Sequence, residues 1–147
     1  MGLLFKKIII VFWTMWWLLA LWTDLVGVLA HLGYIQATWA PDGNYPVLVR
    51  SLQMYHVPDW FPVLCFAAII LWLVASTYSF GVASFALAKS KTQWMPLAER
   101  AFVISLSFWL AFFLCDQLIM DFNLEENHMV QGGFQLLTYL ALHVIPD

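Results

Sequence analysis

The stretch "WTDLVGVLAHLG", from Trp22 to Gly33, ends a long apolar run that begins at Ile8. A helix needs about 20 apolar residues to cross a bilayer, so this run is long enough to span a membrane. It nevertheless contains two ionisable residues, Asp24 and His31, seven positions apart. Seven residues are close to two helical turns, so both side chains are predicted to lie on one face of the helix.

The composition of the chain is that of an integral membrane protein. Hydrophobic residues make up 63% of the 147 residues, charged residues make up 10%, and the mean hydropathy is +0.82. These values lie far outside the range of soluble globular proteins. We predict an all-α fold, a polytopic four-helix transmembrane bundle that forms a single domain over residues 1–147. The predicted spans are 8–30, 61–88, 97–122 and 124–145.

The connections between the spans are predicted to be short or to lie at the membrane surface. Residues 31–60 form an outer loop that contains a candidate interfacial helix over 47–55. Its aromatic residues, among them Tyr45 and Trp60, suit the headgroup level of a bilayer. The last two spans meet in a tight reversal, where Asn123 is predicted to cap the following helix.

Charge sets the predicted orientation. Five of the six basic residues flank one face of the bundle: Lys6, Lys7, Lys89, Lys91 and Arg100. Because basic residues concentrate on the cytoplasmic side of membrane proteins, we expect both termini to be cytoplasmic and the 31–60 loop to be external. The expected location is a bacterial cytoplasmic membrane.

The ionisable residues of the outer half suggest a metal site. A carboxylate inside a membrane is by default a functional residue with a partner, and Glu-x-x-His spacing can offer two ligands to one metal ion. The candidate ligands are Asp24, His31, Asp116, Glu125 and His128. A transition metal is one candidate cofactor, and haem b held by His31 and His128 is another. The alternative interpretation is that the acidic residues favour a helix N-terminus and that the histidines pack without a cofactor.

A polar stripe continues down the fourth predicted span. Gln135, Tyr139 and His143 recur every four residues, so they share one face of the helix. This face suits a path for protons or a quinone headgroup. It equally suits hydrogen bonds between neighbouring helices.

Two further groups of residues are predicted to pack against partner subunits. Trp13, Trp16 and Trp17 form an aromatic patch on the first span. Ala75, Ser79 and Ala83 form a stripe of small residues on the second span, which lets another helix approach closely.

Two classes of function follow from these features. The chain has no phosphate loop, dinucleotide fingerprint, serine elbow or zinc-protease motif, and it has no basic face for nucleic acid. The first class is therefore a small accessory, assembly or structural subunit of a larger membrane complex, whose partners are other membrane subunits and the lipid bilayer. The second class is a metal- or haem-binding redox or transport protein with an outward-facing site.

Overall fold

The protein is described by a computed structural model that covers residues 1–36 and 43–147. Residues 37–42 of the predicted outer loop lie outside the described part. Within the described residues the fold is entirely helical, as the sequence predicts. The helices are α1 (Gly2–His31), α2 (Asn44–Leu52), α3 (Trp60–Phe85), α4 (Lys91–Ile119) and α5 (Phe122–Val144). Short 3-10 turns follow α2 and α3.

Three of the described helices are long and apolar enough to cross a membrane. They are α1, α3 with its following turn, and α4. The protein is therefore a multi-pass helical membrane protein. The fourth predicted span coincides with α5, which has 23 residues but carries polar side chains such as His128, Gln131 and Gln135 along its length.

The helices pack in the order α1, α3, α4 and α5, with α2 lying against α1 and α3. Aromatic side chains fill the interior. Among the described residues, the five largest fully buried side chains are Trp13, Trp17, Trp94, Phe80 and Phe102. Rings of this size bury large apolar areas and meet edge to face, as Phe80 and Phe102 do at a centroid distance of 5.1 Å.

Hydrogen bonds join α1 and α3 inside this apolar bundle. The Thr14 hydroxyl lies 2.7 Å from the Ser84 hydroxyl, and the Thr77 hydroxyl donates to the backbone carbonyl of Trp17 at 3.0 Å. Between α3 and α4, the Trp72 indole donates to the carbonyl of Ile104 at 2.8 Å. Polar side chains in lipid find partners on neighbouring helices in this way.

The residues predicted to pack against partner subunits are largely used inside the chain itself. Trp13 is 1% exposed and Trp17 is 0% exposed, because α1 turns them toward the bundle interior. Ala83 is also fully buried, whereas Ala75 lies at the surface and Ser79 is half-buried. The buried face of α3 instead follows Leu73, Ser76, Phe80 and Ala83. The expectation that both groups form outer docking surfaces is therefore wrong for Trp13, Trp17 and Ala83.

Trp16, the third member of the aromatic patch, is half-buried and packs at the edge of the core. Its ring lies 4.8 Å from that of Trp17 and 5.8 Å from that of Trp109 on α4. Trp16 thus continues the interior aromatic cluster toward the surface.

Both ends of the chain lie at the same end of the bundle. The Lys6 ammonium is 2.7 Å from Oδ1 of Asp147, and the Lys91 ammonium is 2.5 Å from Oδ2 of Asp147. The hydrogen bond from Lys6, followed by that from Lys91, holds the pKa of Asp147 below its ordinary value. Asp147 therefore stays ionised at neutral pH and ties the start of α1 and the start of α4 to the residues after α5.

Candidate functional site

A deeply buried ionisable pair lies between α4 and α5. Oδ2 of Asp116 is 2.6 Å from Nδ1 of His128, and the Asp116 side chain is only 2% exposed. This distance is that of a hydrogen bond between the carboxylate and the ring nitrogen. The carboxylate therefore fixes the orientation of the imidazole. The His128 side chain retains 14% exposure.

Aromatic rings of α4 surround the His128 imidazole. The ring of Phe112 lies 4.4 Å from it between centroids, and the ring of Trp109 lies 5.9 Å from it. These rings keep water away from one side of the pair. A low local polarity strengthens the interaction between Asp116 and His128, and it raises the cost of losing either partner.

A second polar cluster continues along the same interface, two helical turns from His128. The Trp109 indole donates to Oε1 of Gln135 at 2.8 Å, and Gln135 is fully buried. The Thr138 hydroxyl donates to the backbone carbonyl of Gln135, and it accepts from the Trp13 indole, each at 2.8 Å. Helices α1, α4 and α5 are thus joined at one place. Within the described residues, the Nε2 amide nitrogen of Gln135 makes no hydrogen bond.

Gly132 allows α4 and α5 to come close enough for these contacts. A Cβ atom at position 132 would lie 2.9 Å from Cβ of Trp109 and 2.9 Å from Cζ of Phe113. Real Cβ atoms essentially never lie this close to an atom of a residue on another helix. Only glycine therefore fits between His128 and Gln135 without a shift of the α4 rings.

Asp24 and His31 have separate surroundings at the end of α1. Nδ2 of Asn44 on α2 donates to Oδ1 of Asp24 at 2.5 Å, and Asp24 is 8% exposed. His31 is exposed, and its ring meets that of Tyr45 at 4.8 Å. Tyr45 in turn contacts Phe66 of α3 at 5.3 Å. Both α1 residues thus hold α2 against the bundle.

The five candidate metal ligands do not form one cluster. Asp116 and His128 pair with each other, Glu125 accepts from the Gln117 amide at 2.7 Å, and Asp24 and His31 contact α2. Across residues 1–36 and 43–147, the structure contains no group of three or more His, Cys, Asp or Glu residues placed to hold a metal ion. In place of the predicted five-residue metal site, the structure has three separate hydrogen bonds and one ring contact.

The predicted polar stripe of α5 passes from the core to the surface. Gln135 is buried, Tyr139 is half-buried and His143 is exposed. The Tyr139 ring contacts Phe102 at 5.3 Å and the His143 ring at 4.9 Å. Of these three residues, only Gln135 makes a side-chain hydrogen bond to another helix. This contact is of the interhelical kind that the sequence offers as the alternative to a path for protons or a quinone headgroup.

Four residues that matter here were not predicted from the sequence: Asn44, Trp109, Gly132 and Thr138. Helical spacing places two of them near a predicted site residue. Thr138 lies three residues after Gln135, and Trp109 lies seven residues before Asp116. Asn44 had no such signal, because its contact with Asp24 depends on how α2 folds back.

Fold and site together define the class of this protein, an all-helical multi-pass membrane protein with a buried carboxylate–imidazole pair. No protein-family model, curated protein or solved structure matches the chain.

Proposed function

We propose that the protein crosses the membrane four times, with α5 as the fourth span. The two ends of α5 meet the two ends of α4. Gln117 near the end of α4 bonds Glu125 near the start of α5, and Lys91 at the start of α4 bonds Asp147 just beyond α5. The two helices run antiparallel over their full lengths, so a membrane that α4 crosses is crossed by α5 as well. Helix α5 is less apolar than the other spans, but its His128 and Gln135 side chains are hydrogen-bonded to α4. These hydrogen bonds lower the cost of placing the two polar side chains in a membrane.

The orientation follows from the charges at the two ends of this four-span bundle. Lys6 and Lys91 lie at the end that holds both termini, and Lys7 donates to the carbonyl of Leu87 at the same end. Arg50 is the one basic residue of the loop at the other end. The positive-inside rule therefore supports cytoplasmic termini and an external 31–60 loop.

Reporter fusions test this topology. A phosphatase that is active only outside the cytoplasm should be inactive when fused after Asp147 and active when inserted at Gly43. A fluorescent protein that matures only in the cytoplasm should show the reverse pattern. Activity of the phosphatase at both positions would mean that α5 does not cross the membrane, and reversed signals would invert the bundle.

We propose that this four-span protein is a structural or assembly subunit of a larger membrane complex. One observation carries the proposal: in the described residues, buried polar side chains on three helices are bonded across helix interfaces. Trp13 bonds Thr138, Trp109 bonds Gln135, and Asp116 bonds His128. Such bonds fix the relative positions of the helices. A rigid, filled bundle suits a subunit that holds partners in place.

The outward face of α5 is the surface that best suits a partner helix. A Cβ atom at Gly133 would meet nothing within 4 Å. The residues that share its side of the helix, Met129, Val130 and Leu137, are exposed and apolar. A glycine on an open apolar face lets a second transmembrane helix pack closely. This face replaces the aromatic patch of α1 as the proposed docking surface.

Substitution of Gly133 tests the docking surface. Gly133→Ile adds a branched side chain on the outside of α5, so the fold should be retained while the complex is lost. Gly81→Ile is the matched control, because Gly81 lies on α3 and also has open space around it. We expect the native mass of the complex in mild detergent to fall to that of the isolated subunit for Gly133→Ile only. Equal behaviour of the two variants, or a wild-type chain that is monomeric and fully active, would contradict the proposal.

A metal- or haem-dependent redox or transport function is the second candidate. One observation favours it: histidine ligands of metals commonly hydrogen-bond a carboxylate through their other ring nitrogen, and Nδ1 of His128 is hydrogen-bonded to Asp116. The optical spectrum and metal content of the purified protein distinguish the two candidates. A haem absorption band or a stoichiometric metal that is lost in His128→Ala would favour this second function over the structural one.

A further inference from the structure

A groove opens between α2 and the turn that joins α4 to α5. Its volume is about 360 Å³. It is lined by Val47, Arg50, Ser51, Asp121, Asn123 and Leu124. The function proposed above makes no use of this groove.

The groove lies at the level of the lipid headgroups in the four-span arrangement. The turn between α4 and α5 joins two membrane-spanning segments, so it marks where they leave the hydrocarbon core. Beside it, the Tyr55 hydroxyl donates to the carbonyl of Leu118, the next-to-last residue of α4. Tyrosine is enriched at this level of the bilayer. Lipid headgroups are therefore the molecules that reach this groove in the membrane.

Arg50 supplies a positive charge that is not neutralised within the groove. It is exposed, and no hydrogen bond or ion pair of the described residues involves its guanidinium group. Two of the cations at the opposite end of the bundle, Lys6 and Lys91, are instead paired with Asp147. A guanidinium group with free donors matches the geometry of a phosphate.

Asp121 supplies a negative charge on the other wall of the same groove. Its Oδ1 accepts from the backbone amide of Leu124 at 3.2 Å, which caps α5 and leaves Oδ2 available. Arg50 and Asp121 share the groove but do not form an ion pair in the described structure. Two opposite charges that face one groove without pairing leave room for a ligand that carries both charges.

We propose that the groove binds the headgroup of a zwitterionic phospholipid with a primary ammonium group, of the phosphatidylethanolamine type. The phosphate lies against the Arg50 guanidinium, and the ammonium donates to Oδ2 of Asp121. The Ser51 hydroxyl and the Asn123 amide add hydrogen bonds at the rim. Val47 and Leu124 contact the apolar part of the lipid.

Native mass spectrometry of the delipidated full-length protein tests this site. The protein in detergent is mixed with equal amounts of phosphatidylethanolamine, phosphatidylglycerol and phosphatidylcholine that have the same acyl chains. We expect one phosphatidylethanolamine to be retained about five- to tenfold more than either other lipid, which is modest for charged hydrogen bonds because the groove is open to water. Phosphatidylglycerol lacks the ammonium, and the methylated ammonium of phosphatidylcholine cannot donate to Asp121.

Three variants separate the contributions of the two charges. Arg50→Gln should abolish the selective retention, and Arg100→Gln, which removes the same charge at the opposite end, should not. Asp121→Asn should remove the preference for phosphatidylethanolamine over phosphatidylglycerol while leaving α5 capped, since asparagine caps helices as well as aspartate does. Equal retention of the three lipids by the wild type, unchanged retention in Arg50→Gln, or equal losses in Arg50→Gln and Arg100→Gln would overturn the proposal. None of these results depends on the subunit function.

Discussion

Gly132→Ala is expected to lower the free energy of unfolding by about 1–3 kcal/mol, the usual cost of adding a methyl group to a packed interior. The new Cβ would lie 2.9 Å from Cβ of Trp109 and 2.9 Å from the ring of Phe113. Cβ of Trp109 is fixed to the α4 backbone, and its indole is held by Gln135. The two helices must therefore move apart, which weakens the neighbouring bonds of His128 and Gln135.

The adjacent glycine is the matched control for this experiment. Gly133→Ala places its Cβ in open space, and alanine favours a helix over glycine by about 1 kcal/mol. We expect thermal unfolding in detergent to occur at a lower temperature for Gly132→Ala and at an unchanged or higher temperature for Gly133→Ala. If both variants were equally stable, the α4–α5 interface would be looser than these distances require.

The sequence predicts the fold class because apolar segments of this length have one stable solution in a bilayer. Hydropathy locates α1, α3 and α4, and helical periodicity places Gln135 and Tyr139 on one face of α5. The exact ends are less predictable. Helix α1 begins at Gly2 rather than near Ile8, because a membrane-spanning helix can continue beyond its apolar segment into the interface. Helix α5 is capped by Asp121 rather than Asn123, because aspartate and asparagine are equally good caps.

The candidate site is less predictable than the fold for a definite physical reason. In a membrane helix the lipid-facing and core-facing sides are both apolar, so the sequence does not indicate which way Trp13, Trp17 and Ala83 face. Spacing along one helix also does not specify contacts between helices. The sequence predicts both Asp116 and His128 as site residues, but their pairing depends on the register between α4 and α5 and on the close approach that Gly132 allows.

The second large effect is expected at this buried pair. His128→Leu leaves the Asp116 carboxylate buried among apolar residues without its partner. Breaking a buried pair in this way typically costs about 3–5 kcal/mol. We expect the variant to unfold at a much lower temperature in detergent and to accumulate poorly in membranes.

The double variant Asp116→Leu/His128→Leu separates a structural pair from a functional one. Leucine branches as aspartate does, so the pair is replaced by apolar side chains of related shape, and such replacements are often neutral or stabilising. We expect the double variant to recover most of the stability that His128→Leu loses. Recovery would show that the penalty came from the unpaired carboxylate rather than from loss of the imidazole itself.

Association with the partner complex, measured by native mass on the same samples, decides between the proposed functions. A structural subunit needs the position of α5 but not the chemistry of His128, so the double variant should assemble as the wild type does. If stability were restored while assembly or activity of the complex was lost, the imidazole would have to contact a ligand or a proton. That result would contradict the purely structural role and favour His128 as a functional ligand oriented by Asp116.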